Sequence, residues 1–221
     1  MTEQQIKIGV VEGEISAMRT EPEGADNGWL LVYAPGAGSN MHDPFGRYLC
    51  RRLADGGALA VRFQFPYKEA GRSRPDPPRM LEATWRAVLD SLRGEGRRVI
   101  VSGRSMGGRI GSHIVAQGEA ADALALFAYP LHPPGNPEKQ RDEHLPSISV
   151  PTLFCSGSRD AFASPEELRA AAKKMRGSQV HIMEAADHGF AAPKSSGRTR
   201  EEIWSEAAEA LEGWSSVLSS Q

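Results

Sequence analysis

The sequence predicts an α/β chain, a mostly parallel, doubly wound sheet flanked by helices. Three observations carry that reading. From Trp29 onward, short apolar runs alternate with amphipathic helical patterns, the order that generates strand–helix–strand crossovers. The runs are apolar at nearly every position, as strands covered on both faces must be. A length of 221 residues, with 40% hydrophobic and 24% charged content, fits a single domain over 1–221 with a sizeable core.

Residues 6–18 read as two short strands in an antiparallel hairpin, and Glu21–Gly28 as a turn-rich linker. Trp29–Ala34 is a buried strand. Asp43-Pro44 then starts a helix carrying Phe45, Leu49 and Leu53, stopped by Gly56-Gly57. Ala58–Phe63 is the next strand, and Leu81, Trp85, Val88 and Leu92 mark a helix that ends at Gly94. The β-branched run at Val99-Ile100-Val101 drives into a helix from Met106 to Gln117, whose Gly107, Gly108 and Gly111 permit close approach to the sheet. Further strands are expected at Leu124–Tyr129, Thr152–Ser156 and Gln179–Met183, with an irregular insertion at Pro130–Pro146. Ser164-Pro165-Glu166-Glu167 is a capping box, and Thr199 to Glu202 another. The second opens a last helix with Ile203, Ala207, Ala210, Leu211, Trp214 and Leu218 on one face.

Gly103-Arg104-Ser105-Met106-Gly107 is G-x-S-x-G in strand-then-helix context. Small residues two positions either side of the serine let the turn be tight enough to expose its hydroxyl above the sheet edge. The helix behind it aims free N–H groups and a positive dipole end at any anion forming there. A nucleophilic serine needs a base and an orienting acid, and both follow in chain order. Asp160 lies on the loop after the strand at Thr152–Ser156, and His188 on the loop after Gln179–Met183. Alone, Asp160 reads as a turn former and His188 as a solvated loop histidine; the order and placement of all three make them a nucleophile, acid and base. Asp122 precedes its strand, and Asp187 adjoins His188 with a side chain expected to point away from the imidazole. His42, His113, His132, His144 and His181 lack the loop position, and His132 is kept as a pocket candidate.

Two backbone N–H groups are expected to bind a developing oxyanion, that of Met106 and that of Ala37 in Pro35-Gly36-Ala37-Gly38-Ser39. Gly38 is its neighbour in that turn. No Lys-Ser/Thr pair closes a phosphate loop here.

These motifs resemble the α/β-hydrolase fold. Ala-Pro-Gly-Ala-Gly at 34–38, Arg-Phe-Gln-Phe-Pro-Tyr at 62–67, Gly-Arg-Ser-Met-Gly-Gly at 103–108, Tyr-Pro-Leu-His-Pro-Pro-Gly at 129–135 and Gly-Ser-Arg-Asp-Ala-Phe at 157–162 are similar to a branch related to dienelactone hydrolase. That branch includes bacterial hydrolase-like proteins, testis-expressed proteins and a subunit of the nonspecific-lethal chromatin complex. The resemblance implies acyl transfer by a nucleophile at position 105. Dienelactone hydrolase uses cysteine there, so its own activity does not carry over to Ser105. Larger relatives carry a lid after the sixth strand; Pro130–Pro146 is too short and proline-rich for one, so no large lid domain is expected and the site should be open.

The formal charge of −2 gives no field for gathering nucleic acid. The opening Met-Thr-Glu-Gln-Gln-Ile-Lys has no basic-then-apolar signal, and no apolar run approaches bilayer length, so a cytoplasmic protein without membrane contact is expected. Cys50 and Cys155 read as buried thiols of a reducing compartment. No His/Cys/Asp cluster has metal-ligand spacing, and no cofactor is expected. The sequence thus points to a carboxylesterase- or thioesterase-like serine hydrolase acting on a small-molecule acyl substrate. Arg104, His132, Lys139 and Arg141 would bias its mouth towards anions if they are not simply solvated. The competing reading is a non-catalytic scaffold or interaction protein on the same fold. Neither acyl group nor oligomeric state is legible.

Overall fold

The computed structural model describes residues 2–219. Eight strands form one sheet: β1 (Glu3–Val10), β2 (Gly13–Thr20), β3 (Trp29–Ala34), β4 (Leu59–Phe63), β5 (Arg98–Arg104), β6 (Ala123–Phe127), β7 (Thr152–Gly157) and β8 (Ser178–Met183). Their order is β1-β2-β4-β3-β5-β6-β7-β8. β1 and β2 pair antiparallel, as do β2 and β4, and every later pairing is parallel. The helices are α1 (Pro44–Asp55), α2 (Pro66–Glu69), α3 (Pro78–Leu92), α4 (Met106–Ala116), α5 (Pro165–Ala172) and α6 (Arg200–Ser219).

The alternation of strand side chains divides the interior in two. Leu30, Val32 and Ala34 of β3 join the face covered by α3, α4 and α5, with Trp85, Ile110 and Leu168. Trp29, Leu31 and Tyr33 point the other way, onto Phe45, Leu49 and Leu53 of α1 and Ile203, Ala207 and Leu211 of α6. Both faces of β3, β4, β6 and β7 are therefore buried, which is why these strands are largely apolar, whereas the edge strand β8 is partly exposed.

The capping signals act as read. Asp43 accepts the Gly46 N–H, Ser164 and Glu167 cap reciprocally, and Glu202 accepts the Thr199 N–H at 2.7 Å. The N-terminal hairpin is longer than the 6–18 expected. Its outer face is solvated, so apolar patterning marks only its middle, while the ladder runs from Glu3↔Thr20 to Val10↔Gly13. β6 ends at Phe127 instead of Tyr129 because Ala128 turns to φ 47°. The short helix α2 has no sequence expectation behind it, since four residues carry no periodicity. Between β6 and β7 the chain forms only a 3₁₀ turn at Leu145–Ser147, with no added lid domain. No helix among the described residues is long and apolar enough to cross a membrane.

Candidate active site

Ser105 stands between β5 and α4 at φ 52°, ψ −119°, a region that costs an L-residue roughly 1–3 kcal/mol and persists only where its surroundings impose it. Here the imposition is backbone contact. A methyl carbon at Gly107 would lie 2.3 Å from the Ala34 carbonyl oxygen and 2.5 Å from that of Pro35, and one at Gly103 would lie 2.6 Å from the Gly108 nitrogen. β3, β5 and α4 thus approach more closely than any side chain allows. The Ser105 N–H donates to Phe127 O at 2.8 Å, its carbonyl accepts from the Arg109 N–H at 2.9 Å, and Trp85 Nε1 donates to Gly107 O at 3.1 Å. The hydroxyl is left at the carboxyl edge of the sheet, half-exposed.

The loops after β7 and β8 bring Asp160 and His188 to it. His188 Nε2 lies 2.9 Å from Ser105 Oγ, and Nδ1 lies 2.9 Å from both oxygens of Asp160. Because a carboxylate only accepts, Nδ1 carries the proton and Nε2 is left to accept from the serine. Asp160 is fully buried in its side chain, whereas that of His188 is 25% exposed. Ser156 Oγ donates to Asp160 Oδ2 at 3.1 Å and the Phe162 N–H to Oδ1 at 2.8 Å. These bonds fix the orientation of the carboxylate.

The two loops are tied to each other. Arg159 N donates to Ala186 O at 2.9 Å and Ser158 N to Met183 O at 3.0 Å, and a methyl carbon at Gly157 would lie 2.1 Å from Ala186 O. Phe190 anchors the far side of the His188 turn in the core, edge-on to Phe45 at 4.9 Å. Asp187 holds the turn itself, accepting from Gly189 N at 2.8 Å and Ala191 N at 2.9 Å. The Phe162 ring stacks on the imidazole at 4.0 Å between centroids, 27° from parallel.

Residues 27–216 match a family described as an alpha/beta hydrolase domain. The chain belongs to the α/β-hydrolase family. Solved structures similar to this hydrolase include a serine hydrolase homologue from Coxiella burnetii, 21% identical over 96% of this chain and 98% of that one, with a TM-score of 0.79. A serine hydrolase without a lid from Xanthomonas campestris is 16% identical, over 97% and 95% of the two chains, with a TM-score of 0.75. A dienelactone hydrolase from Anabaena variabilis is 20% identical, over 94% and 95%, with a TM-score of 0.72. At these identities the likeness is one of fold, and it includes the branch that the motifs resemble.

The remaining sequence candidates of this hydrolase are placed as follows. The loop after β3 passes beside the serine: a methyl carbon at Gly36 would lie 3.7 Å from Ser105 Cβ. Ser39 N donates to Gly36 O at 2.9 Å, closing a turn around Ala37 and Gly38, and Tyr67 Oη donates to Ala37 O at 2.8 Å. Among the described residues the N–H groups of Met106 and Ala37 donate to no other group.

Arg104 and His132 are not free cations at the mouth. Arg104 pairs at 3.2 Å with Asp43, which is 2% exposed and also accepts from Tyr33 Oη at 2.8 Å. Burial, then the Asp43 charge, holds the Tyr33 phenol well above its usual pKa. His132 has Nδ1 2.9 Å from Pro133 O and Nε2 3.3 Å from Glu167. Pro133 first, then Glu167, raises its pKa against the effect of burial. Its backbone N–H donates to Phe162 O at 3.1 Å, so it braces the loop that covers His188. Sequence reading missed Tyr67, Phe162 and the second role of Asp43, which is legible only as a helix cap. The Ala-Phe after Asp160 is the one local signal that pointed to Phe162. No group of three His, Cys, Asp or Glu side chains among the described residues is arranged to hold a metal ion.

Proposed function

We propose that this α/β-hydrolase is a serine hydrolase that cleaves a small ester or thioester through an acyl-enzyme on Ser105. The observation that carries the reading is the unbroken chain of 2.9 Å contacts from Ser105 Oγ through His188 to Asp160. Ser105 Oγ attacks the carbonyl carbon as its proton passes to His188 Nε2. Asp160 fixes the imidazole tautomer and stabilises the imidazolium. The Met106 and Ala37 N–H groups donate hydrogen bonds to the carbonyl oxygen as negative charge develops on it. As the tetrahedral intermediate collapses, His188 returns the proton to the departing alkoxide or thiolate. Water then attacks the acyl-serine by the same route, giving the carboxylic acid and free Ser105.

Support for a short or soluble acyl group comes from the connection between β6 and β7, which adds no lid. The structural neighbours include Est1E from Butyrivibrio proteoclasticus with ferulic acid bound, which accords with a carboxylic acid as the released product. We place the reaction in the cytoplasm, on the reading of both cysteines as buried free thiols.

A fluorophosphonate probe followed by peptide mapping tests this reading. The expected result is one adduct, on Ser105, lost in Ser105→Ala. An adduct on Ser39, Ser102 or Ser158 would overturn the assignment. No adduct, together with no turnover of esters or thioesters of graded chain length, would make the chain a scaffold on this fold.

A further inference from the structure

One and two helical turns beyond Ser105, α4 presents Arg109 and His113 to the chain between β6 and β7. Arg109 Nη1 lies 3.4 Å from His113 Nε2. The His113 ring stacks on His144 at 3.8 Å and 14°, and His144 Nε2 lies 2.7 Å from Ser112 Oγ. Tyr129, just past the carboxyl end of β6, donates its hydroxyl to Arg141 O at 3.0 Å and stands 3.5 Å from His144 Nε2. The Arg141 N–H donates to Leu131 O at 2.7 Å, which returns the insertion to the same edge of the sheet as Ser105.

This cluster has no counter-charge of its own. Neither Arg109 nor Arg141 forms an ion pair among the described residues, and Arg109 Nε is buried without a hydrogen-bond partner. Every other described arginine has an acidic partner, is exposed, or, as Arg98 does, lies over the Trp29 ring and donates to Ser219. The acids that face the cluster are engaged elsewhere. Glu82 accepts from Gln117 at 3.2 Å and lies 3.8 Å from Arg86, and Asp142 binds Lys174 at 2.7 Å. Burial lowers the pKa of His113 and brings that of His144 to about 4, so neither imidazole adds charge near neutral pH. Arg109 is partly buried and its Nε is withdrawn from water without an anion, which is costly, and both arginines belong to segments that start from the sheet edge of the serine.

We propose that Arg109 and Arg141 form an anion subsite, which holds a carboxylate or phosphate carried by the substrate that Ser105 acylates from. The proposal rests on the reading of Ser105 as nucleophile. Four residues of helix rise about 6 Å, so the anion belongs a few bonds from the scissile carbonyl, as in the monoester of a short diacid.

Monomethyl glutarate and its neutral counterpart methyl pentanoate, titrated into Ser105→Ala protein, provide the test, with inorganic phosphate and free glutarate as competitors. The charged ester is expected to bind at least about 10-fold more tightly, and Arg141→Gln to weaken it by about 10- to 100-fold, the range for a charge-assisted hydrogen bond. Arg109→Gln should do the same, and if that variant does not fold, Arg141→Gln alone decides. Arg176→Gln, which removes an exposed arginine elsewhere, should leave the preference intact. Phosphate competing better than glutarate assigns the subsite to phosphate, and the reverse to carboxylate. Equal binding of charged and neutral esters, or a preference that survives Arg141→Gln, overturns the subsite. Fluorophosphonate labelling of the parent protein separates the two readings: labelling without anion preference leaves the hydrolase and removes the subsite. Anion preference without labelling removes both the nucleophile and the subsite's assignment to a substrate.

Discussion

The two halves of the site are built by different means. Around Ser105, three backbones meet at distances that exclude even a methyl carbon, and the strained φ of 52° follows from that crossing. Around His188 the backbone is also tight, with Gly157 packed on Ala186 O and positive φ at Ala185 and Phe190, but these contacts fix the loop and leave the imidazole to its side-chain partners. The ring is held by the Asp160 carboxylate and by the Phe162 ring, on a turn anchored in the core by Ala186 and Phe190. The serine is thus placed by stereochemistry and the imidazole by side-chain bonds. Substitutions on the first side should act on folding, and on the second side on turnover.

The largest effect is expected where orientation depends on a single group. Asp160→Asn should lower turnover of a neutral ester by roughly 10⁴-fold, because an amide favours the wrong imidazole tautomer. Asp187→Asn keeps an oxygen to accept from Gly189 and Ala191 and should cost only a few-fold. Steady-state rates of the two variants rank them directly, and the opposite ranking would assign the orienting acid to Asp187. On the other side of the site, Gly107→Ala should destabilise the fold by about 3 kcal/mol or more, since its methyl overlaps Ala34 and Pro35 carbonyl oxygens that cannot both retreat. Ser105→Ala, which removes only an edge hydroxyl, should leave the urea midpoint within error of the parent. A Gly107→Ala protein as stable as the parent would break the contrast.

How much of this was legible follows the same division. Ser105 could be read from five consecutive residues because its glycines are demanded locally. Asp160 and His188 are read from chain order and from the strands that precede them, and Asp160 also from the motif at 157–162. The Tyr67 hydroxyl on Ala37 O and the Arg104–Asp43 pair were not legible, and the Phe162 ring was marked only by the Ala-Phe after Asp160, which does not show that it stacks on His188. Each joins segments distant in sequence, and nothing at either position distinguishes a bonded side chain from a solvated one. The hairpin's length escaped for a related reason, since ladder bonds that extend over a solvated face leave no hydrophobic trace.

Smaller effects sharpen the picture of the base. Phe162→Ala should lower kcat by about 10- to 100-fold through looser placement of the imidazole, while KM for a short ester changes little and fluorophosphonate still labels Ser105. A shift confined to KM would make Phe162 a substrate contact and not a positioning residue. The smallest effect concerns His144, whose pKa is lowered from 6.5 to about 4 by burial first, then by His113 and Arg109, against Asp142. Between those values the unfolded chain binds the proton and the folded chain does not. Stability should therefore fall as pH drops from about 6.5 towards 4. Thermal midpoints measured across that window should fall less steeply in His144→Asn, and an unchanged slope would place the titration elsewhere.

Rapid-quench mass spectrometry of the protein mixed with a 4-nitrophenyl ester tests the central claim most directly. The account predicts a transient mass gain equal to one acyl group, mapped to the peptide that contains Ser105 and absent from Ser105→Ala. Turnover of the ester with the acyl group on another residue, or turnover that persists in Ser105→Ala, would contradict it.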